Sequence, residues 1–457
     1  MFDEVLARFA AECPLTVMAR MTLQRALDAD WVNAVFEQHR QMQYTRELLF
    51  STVVDLMALV ALGLRPSLHA AAKRAHDLPV SLTALYDKVN HAEPAVLRAL
   101  VRGGAERLAP VMRPLRTRRL PVLAGYRVRV ADGNHLPASE KRLAPLRGFR
   151  GAALPGQSLV VFDPDLGLVV DVVPCEDAHA SEQGLLAVAA AHAAEGDLWL
   201  ADRNFSTRAL LYLLAVRGAA FIIREHGAHP NPTAVGPRRR IGRTETGVVH
   251  AQRVTIPTEG GGTLALRRIE VELDTPTTDG ETVVRVLTNL PVRVADARRV
   301  ARLYLTRWTV EHLFQRLEAA LHSEVRTLGQ PRAALLAFTT AVLAYNVLAV
   351  LESAIEDAHA LPPDPAVVST WYVAEEVRAH YAGMMVALSA AEWVRFDALS
   401  PTQLAQRLRH YARQVDLRHV RKHPRKEKVP VPKGYVSRKV AERHVSTARV
   451  LRDGGVR

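Results

Sequence analysis

Ser158-Leu159-Val160-Val161-Phe162-Asp163-Pro164-Asp165-Leu166-Gly167-Leu168-Val169-Val170-Asp171-Val172-Val173 decides the fold class of this chain. β-Branched residues suit a pleated surface, whereas Asp, Pro and Gly shape turns, so the stretch reads as two strands around a tight turn. Upstream, Tyr126 to Ala131 is another apolar run, closed by Asp132. Downstream, Ser181 to Ala194 has helical periodicity, and Asp197 to Ala201 reads as a strand ending at Asp202. Ser206 is placed to cap a helix through Arg217, and Ala219 to Arg224 is a strand again.

Three strands, helix, strand, helix, strand is the order of an α/β sheet of the RNase H-like kind. It sets Asp132 on the first strand and Asp202 on the fourth, as neighbours in space. Residues from about 226 to 281 break the rhythm: they are rich in Gly, Pro, Thr and Arg, and alternating runs around Val248 to Ile256 and Leu264 to Leu273 predict hairpins of an inserted β subdomain. Val283 to Leu287 is a further strand, and a long helical pattern runs from Ala295 past Ser323. The expected organisation is an all-helical N-terminal domain at 1–118, a mixed-sheet domain at 119–352 that holds the β-rich insertion, and C-terminal helices with a basic tail at 353–457. That tail carries Arg418, Arg421, Lys422, Arg425, Lys426 and Lys428.

Within the helical region, Ser67 to Ala75 and Ser81 to Asn90 are short helical patterns split by Pro79. They fit a helix-turn-helix whose second helix turns Thr83, Tyr86 and Lys88 outward to DNA, and equally a packed helical hairpin without a DNA contact.

The 457 residues hold 60 Lys and Arg against 47 Asp and Glu, a net charge of +13 that favours a polyanionic partner. Two distant cysteines, Cys13 and Cys175, predict a reducing, cytoplasmic setting with neither a disulfide framework nor a zinc site. Asp3, Glu4, Arg8 and Glu12 interrupt the N-terminus, unlike a secretory signal. Ala333 to Leu351 is apolar enough to raise the membrane question, but it contains Thr339, Thr340 and Asn346 and stands alone, so it reads as a buried core helix with no membrane partner. No Gly-x-Ser-x-Gly elbow, Walker loop or His-Glu-x-x-His pairing occurs, which leaves serine hydrolase, ATPase and zincin chemistry without support.

The chemistry concentrates in Tyr304-Leu305-Thr306-Arg307-Trp308-Thr309-Val310-Glu311. On one helix, Tyr304, Arg307 and Glu311 share a face, continued by Glu318 and His322. That face is either a solvated stripe or the complement to Asp132 and Asp202. Three carboxylates can hold two magnesium or manganese ions, hard cations that prefer oxygen, and an arginine one turn before the glutamate can grip phosphate. Asp163, Asp165, Asp171, Glu176 and Asp177 compete for the same role.

With these motifs in place, the chain resembles a bacterial insertion-sequence transposase of the DDE type, the IS4-like family in particular. Asp132-Gly133-Asn134 and Asp202-Arg203-Asn204-Phe205 resemble the two aspartate motifs, and Leu85 to Asn90 the family's N-terminal part. Thr288-Asn289-Leu290-Pro291, followed by Tyr304, Arg307 and Glu311, is similar to the signature tyrosine-x2-arginine-x3-glutamate-x6-lysine. Glu318 stands where that lysine is expected. The resemblance implies that Asp132, Asp202 and Glu311 are the catalytic, metal-binding triad and that Tyr304 and Arg307 contact phosphate. It also implies cut-and-paste movement at terminal inverted repeats by a dimer working at the nucleoid. Rival readings are a catalytically silent DNA-binding descendant and a magnesium nuclease without strand transfer.

Overall fold

The computed structural model describes residues 2–75, 78–136, 153–258, 261–277, 280–362, 367–423 and 445–453. Seven helices come first: α1 (Phe2–Glu12), α2 (Pro14–Ala26), α3 (Ala29–His39), α4 (Phe50–Ala61), α5 (Leu68–Arg74), α6 (Leu82–Asn90) and α7 (Pro94–Leu115). Asp28, Ser67 and Ser81 accept backbone N–H bonds at the starts of α3, α5 and α6, the local chemistry that begins those helices.

The sheet begins with β1 (Arg127–His135); β2 (Ala153–Leu154) is a short strand apart from it. Next come β3 (Gln157–Asp163), β4 (Leu168–Cys175), α8 (Glu182–Ala190), β5 (Asp197–Ala201), α9 (Arg208–Val216) and β6 (Ala220–Arg224). The cap of α9 is Thr207, whose hydroxyl accepts the Leu210 N–H, rather than the expected Ser206. Strand order is β4-β3-β1-β5-β6, antiparallel across the first three and parallel from β1 through β5 to β6. The β3–β4 turn closes with Gly167 donating its N–H to Asp163 O at 2.7 Å. Gly167 has φ +71°, and a Cβ there would run into Arg116.

The insertion departs from expectation. β7 (Thr233–Ala234), β8 (Arg239–Thr244), β9 (Gly247–Pro257), β10 (Thr263–Leu273) and β11 (Val283–Thr288) form no separate subdomain. β11 pairs antiparallel with β6, β10 with β11, and β9 with β10, so the insertion extends one open mixed sheet of ten strands. The reason is the unsatisfied edge of β6, whose N–H and C=O groups β11 pairs.

Residue alternation assigns the two sheet faces. Leu198 and Leu200 of β5 enter the large core with the N-terminal helices, whereas Trp199 and Ala201 face α8 and α9. Past the sheet lie α10 (Ala297–Leu305), α11 (Trp308–Ala320), α12 (Pro331–Ala358), α13 (Thr370–Ala387), α14 (Pro401–Ala412) and α15 (Leu417–Val420). The apolar stretch of α12 is long enough to cross a membrane and is wholly buried within the protein. It packs against α7, α4, α2 and α14, and Asn346 bonds both backbone groups of Val169 on edge strand β4, at 2.8 and 2.9 Å. The expected boundary at 352 therefore falls inside one helix, and the N- and C-terminal helices share a single core around it. A C-terminal strand, β12 (Val445–Ser446), returns to pair with β2. Lys426, Lys428 and Arg425 of the basic tail lie outside the described residues.

The long helix expected from Ala295 past Ser323 is two helices, ending at Ala320. At the break, Arg307 N bonds back only three residues, to Tyr304 O, and the Thr309 hydroxyl takes Thr306 O at 2.7 Å. Threonine hydroxyls compete with the helical ladder in this way.

Candidate active site

Parallel pairing of β1 with β5 ends at Val130 and Leu200. Beyond it β1 continues beside β3 alone, with Asp132 opposite Val160, and the chain leaves β5 at Asp202. The two aspartates therefore stand at the C-terminal end of the parallel pair, where a cleft opens in open α/β sheets. Asp132 is inside a strand rather than at its end. α11 packs across β1 and brings Glu311 in its first turn, where the helix dipole favours a carboxylate.

Arg307 and Tyr304 connect the three acids. The Arg307 guanidinium donates to Asp132 Oδ2 at 3.3 Å and to Glu311 Oε1 at 2.8 Å. Tyr304 donates its hydroxyl to Asp202 Oδ1 at 3.5 Å, and Arg224 Nη1 lies 4.0 Å from the same oxygen. Both signature side chains are buried, Arg307 at 5% and Tyr304 at 7% exposure. Burial pushes the Asp132 carboxyl up to about 7; Arg307 and the Gly133 N–H oppose the rise, and the charges of Asp202 and Glu311 add to it. Burial disfavours charge on Arg307, yet Tyr304, Asp202, Asp132 and Glu311 outweigh it and raise its pKa. Burial, then the charge of Asp202, raises the Tyr304 phenol, so it stays a donor.

The competing carboxylates are engaged elsewhere. Asp163 pairs with Arg129, Asp165 accepts the Val122 N–H, and Arg98 holds Asp171 with two bonds of 2.9 and 2.7 Å. Glu176 pairs with Arg332, and Asp177 accepts from Arg449 at 3.0 Å. These acids staple the fold.

Oxygen donors of Asp132, Asp202 and Glu311 suit magnesium or manganese by type. The tightest metal-capable set among the described residues is a different one: His250, Glu270 and Glu272, with ligand atoms within 4.8 Å of one another. Arg238 already bonds both glutamates and His250, and Arg285 bonds Glu270 at 2.7 Å, so that set is an ion-pair network across the insertion.

On α6 the expected outward row is not what forms. Thr83 is exposed, but Tyr86 packs on the core, and Lys88 donates to Tyr44 O at 2.8 Å with its ammonium 4.3 Å from the Phe36 ring centre. α5 packs on α4 and α6 on α12, so the two helices do not make a compact pair. The outward Lys88 was expected from helical spacing alone, which does not show that α3 lies alongside.

Sequence reasoning also missed Arg224, Glu281 and Glu182. Arg224 ends β6 next to Asp202 and bonds Glu281, which Arg203 also reaches at 2.8 Å. Its only sequence signal was a basic residue closing an apolar strand. Glu182 lies against Gly133 so closely that a Cβ there would overlap its carboxylate, and it accepts from Asn204 at 3.4 Å.

Residues 124–347, from just before β1 into α12, match the family described as a transposase DDE domain. Over these residues the chain is similar to transposase DDE domains. The match encloses Asp132, Asp202, Tyr304, Arg307 and Glu311, and it supports a transposase, an enzyme class that works on DNA with divalent metal ions. No curated protein matches the chain.

Proposed function

We propose that the protein is an IS4-type transposase that excises an element at its terminal inverted repeats and joins it to target DNA. The observation that carries the reading is the linkage of Asp132, Asp202 and Glu311 through Arg307 and Tyr304, inside the matched domain. Asp132, Asp202 and Glu311 would hold two divalent cations, which supply water activation and leaving-oxygen stabilisation. Arg307 offers a planar fork for a phosphate, and Tyr304 a neutral donor beside it. Water attacks the phosphorus at the element end, the P–O3′ bond breaks, and a 3′-hydroxyl is left. That hydroxyl then attacks a target phosphodiester in line, displacing a second 3′-oxygen. A homodimer bridging two ends, acting in the cytoplasm, completes the reading; the +13 charge supports the DNA partner.

The test uses duplexes carrying the repeats that flank the reading frame. Asp132→Ala, Asp202→Ala and Glu311→Ala each abolish end cleavage in magnesium while retaining duplex binding in gel shifts. Cleavage at wild-type rate in any one of them would sink the triad. A second reading, a DNA-binding descendant without turnover, has Glu318 in its favour, since an exposed acid replaces the expected lysine. Absence of cleavage by the wild-type chain, with end binding intact, selects that reading.

A further inference from the structure

Arg307 sits on the oxygens that a metal ion would need. Its two terminal nitrogens lie 3.3 Å from Asp132 Oδ2 and 2.8 Å from Glu311 Oε1, so the guanidinium spans two of the three acids. The indole of Trp308 backs it, with the guanidinium carbon 4.8 Å from the ring centre. The third donor, Nε, is buried without a partner. A divalent cation takes carboxylate oxygens at about 2.1 Å, and a guanidinium on the same atoms excludes it by contact and by charge.

We propose that Arg307 is a gate on the metal site: it neutralises Asp132 and Glu311 in the free protein and yields them when a DNA phosphate takes its guanidinium. This rests on the three acids being the metal ligands. A phosphate matches the guanidinium fork as well as a carboxylate does, and it can also accept from the unpartnered Nε. Departure of Arg307 removes a competing cation and leaves three negative groups facing one another. DNA therefore raises metal affinity, and by linkage metal raises DNA affinity by the same factor. Trp308, against whose ring the guanidinium lies, is 49% exposed.

The test is Mn2+ titration of the full chain, reading free Mn2+ by electron paramagnetic resonance, with and without duplex DNA. Without DNA, Arg307→Ala binds Mn2+ about tenfold more tightly than wild type, a coupling of ordinary size. Duplex DNA tightens Mn2+ binding to wild type and leaves the variant unchanged. Arg307→Met, of similar length and no charge, repeats the comparison, and thermal melting identifies whichever variant is folded. Mn2+ affinity equal to or below wild type in a folded variant overturns the gate. Asp202→Asn separates the two levels: if it leaves Mn2+ binding intact, the metal-site reading itself fails, whereas loss of binding with no Arg307 effect rejects the gate alone.

Discussion

At the residue scale the informative position is Glu318, where the signature that this stretch resembles has a lysine. It is exposed on α11; burial, with the charge of Glu318 added, pushes the nearby Glu324 carboxyl up to about 7, against the opposing charge of Arg326. A carboxyl whose folded pKa exceeds its unfolded value costs stability only when ionised. The cost is absent below about pH 4.5, grows as pH rises, and is complete above about pH 7. Glu318→Lys thus stabilises the protein at pH 8, by on the order of half a kcal/mol for groups with solvent access, and leaves it unchanged at pH 4. Melting curves at the two pH values check this. The same substitution leaves end cleavage unchanged or raises it; a severe loss would give Glu318 a role of its own. Asp132, Asp202, Tyr304, Arg307 and Glu311 were all visible in the sequence because their spacing is local or closes an apolar run. Arg224 and Glu182 were not, since only the assembled sheet sets them against Asp202 and Gly133.

At the element scale, α12 and β4 show how a polar residue in an apolar helix is used. Asn346 is fully buried, and its amide bonds both the N–H and the C=O of Val169. Asn346→Leu keeps the branched heavy-atom skeleton and strips both hydrogen-bond partners, leaving two buried backbone groups unsatisfied. The expected loss is about 2–4 kcal/mol, read from the denaturant midpoint. In sequence, Asn346 argued only that the helix does not face lipid; its bond to β4 is a contact across 177 positions that periodicity cannot encode. The α10–α11 break was hidden for a related reason. Helical spacing puts Tyr304, Arg307 and Glu311 on one face whether or not the ladder is continuous, and only the Thr306 and Thr309 bonding reveals the interruption.

At the scale of the whole molecule, three expected domains share one core. α7 packs on β4, α12 and α14, and α2 touches both α13 and α14, so neither the first helices nor the last close a core alone. The full chain is expected to unfold in a single thermal transition, and a fragment of residues 1–118 to lack cooperative melting by circular dichroism. A fragment with a sharp transition of its own would restore the independent N-terminal domain. Element order was legible because strand and helix periods differ; the merging of cores was not, because apolar faces do not name their partners.

Because the insertion is part of the sheet, its strands stand a set number of strand spacings from the Asp202 end of β5. From β5, which ends just before Asp202, to β9 is four steps, through β6, β11 and β10. At about 4.8 Å per strand that is roughly 19 Å, close to the rise of about six base pairs. If the proposed function holds, a duplex lying across both would meet the arginines of β8 and β9 at a fixed count of bases from the carboxylates. Cutting position would then be counted in strands, and adding or deleting one hairpin would move it by a discrete step.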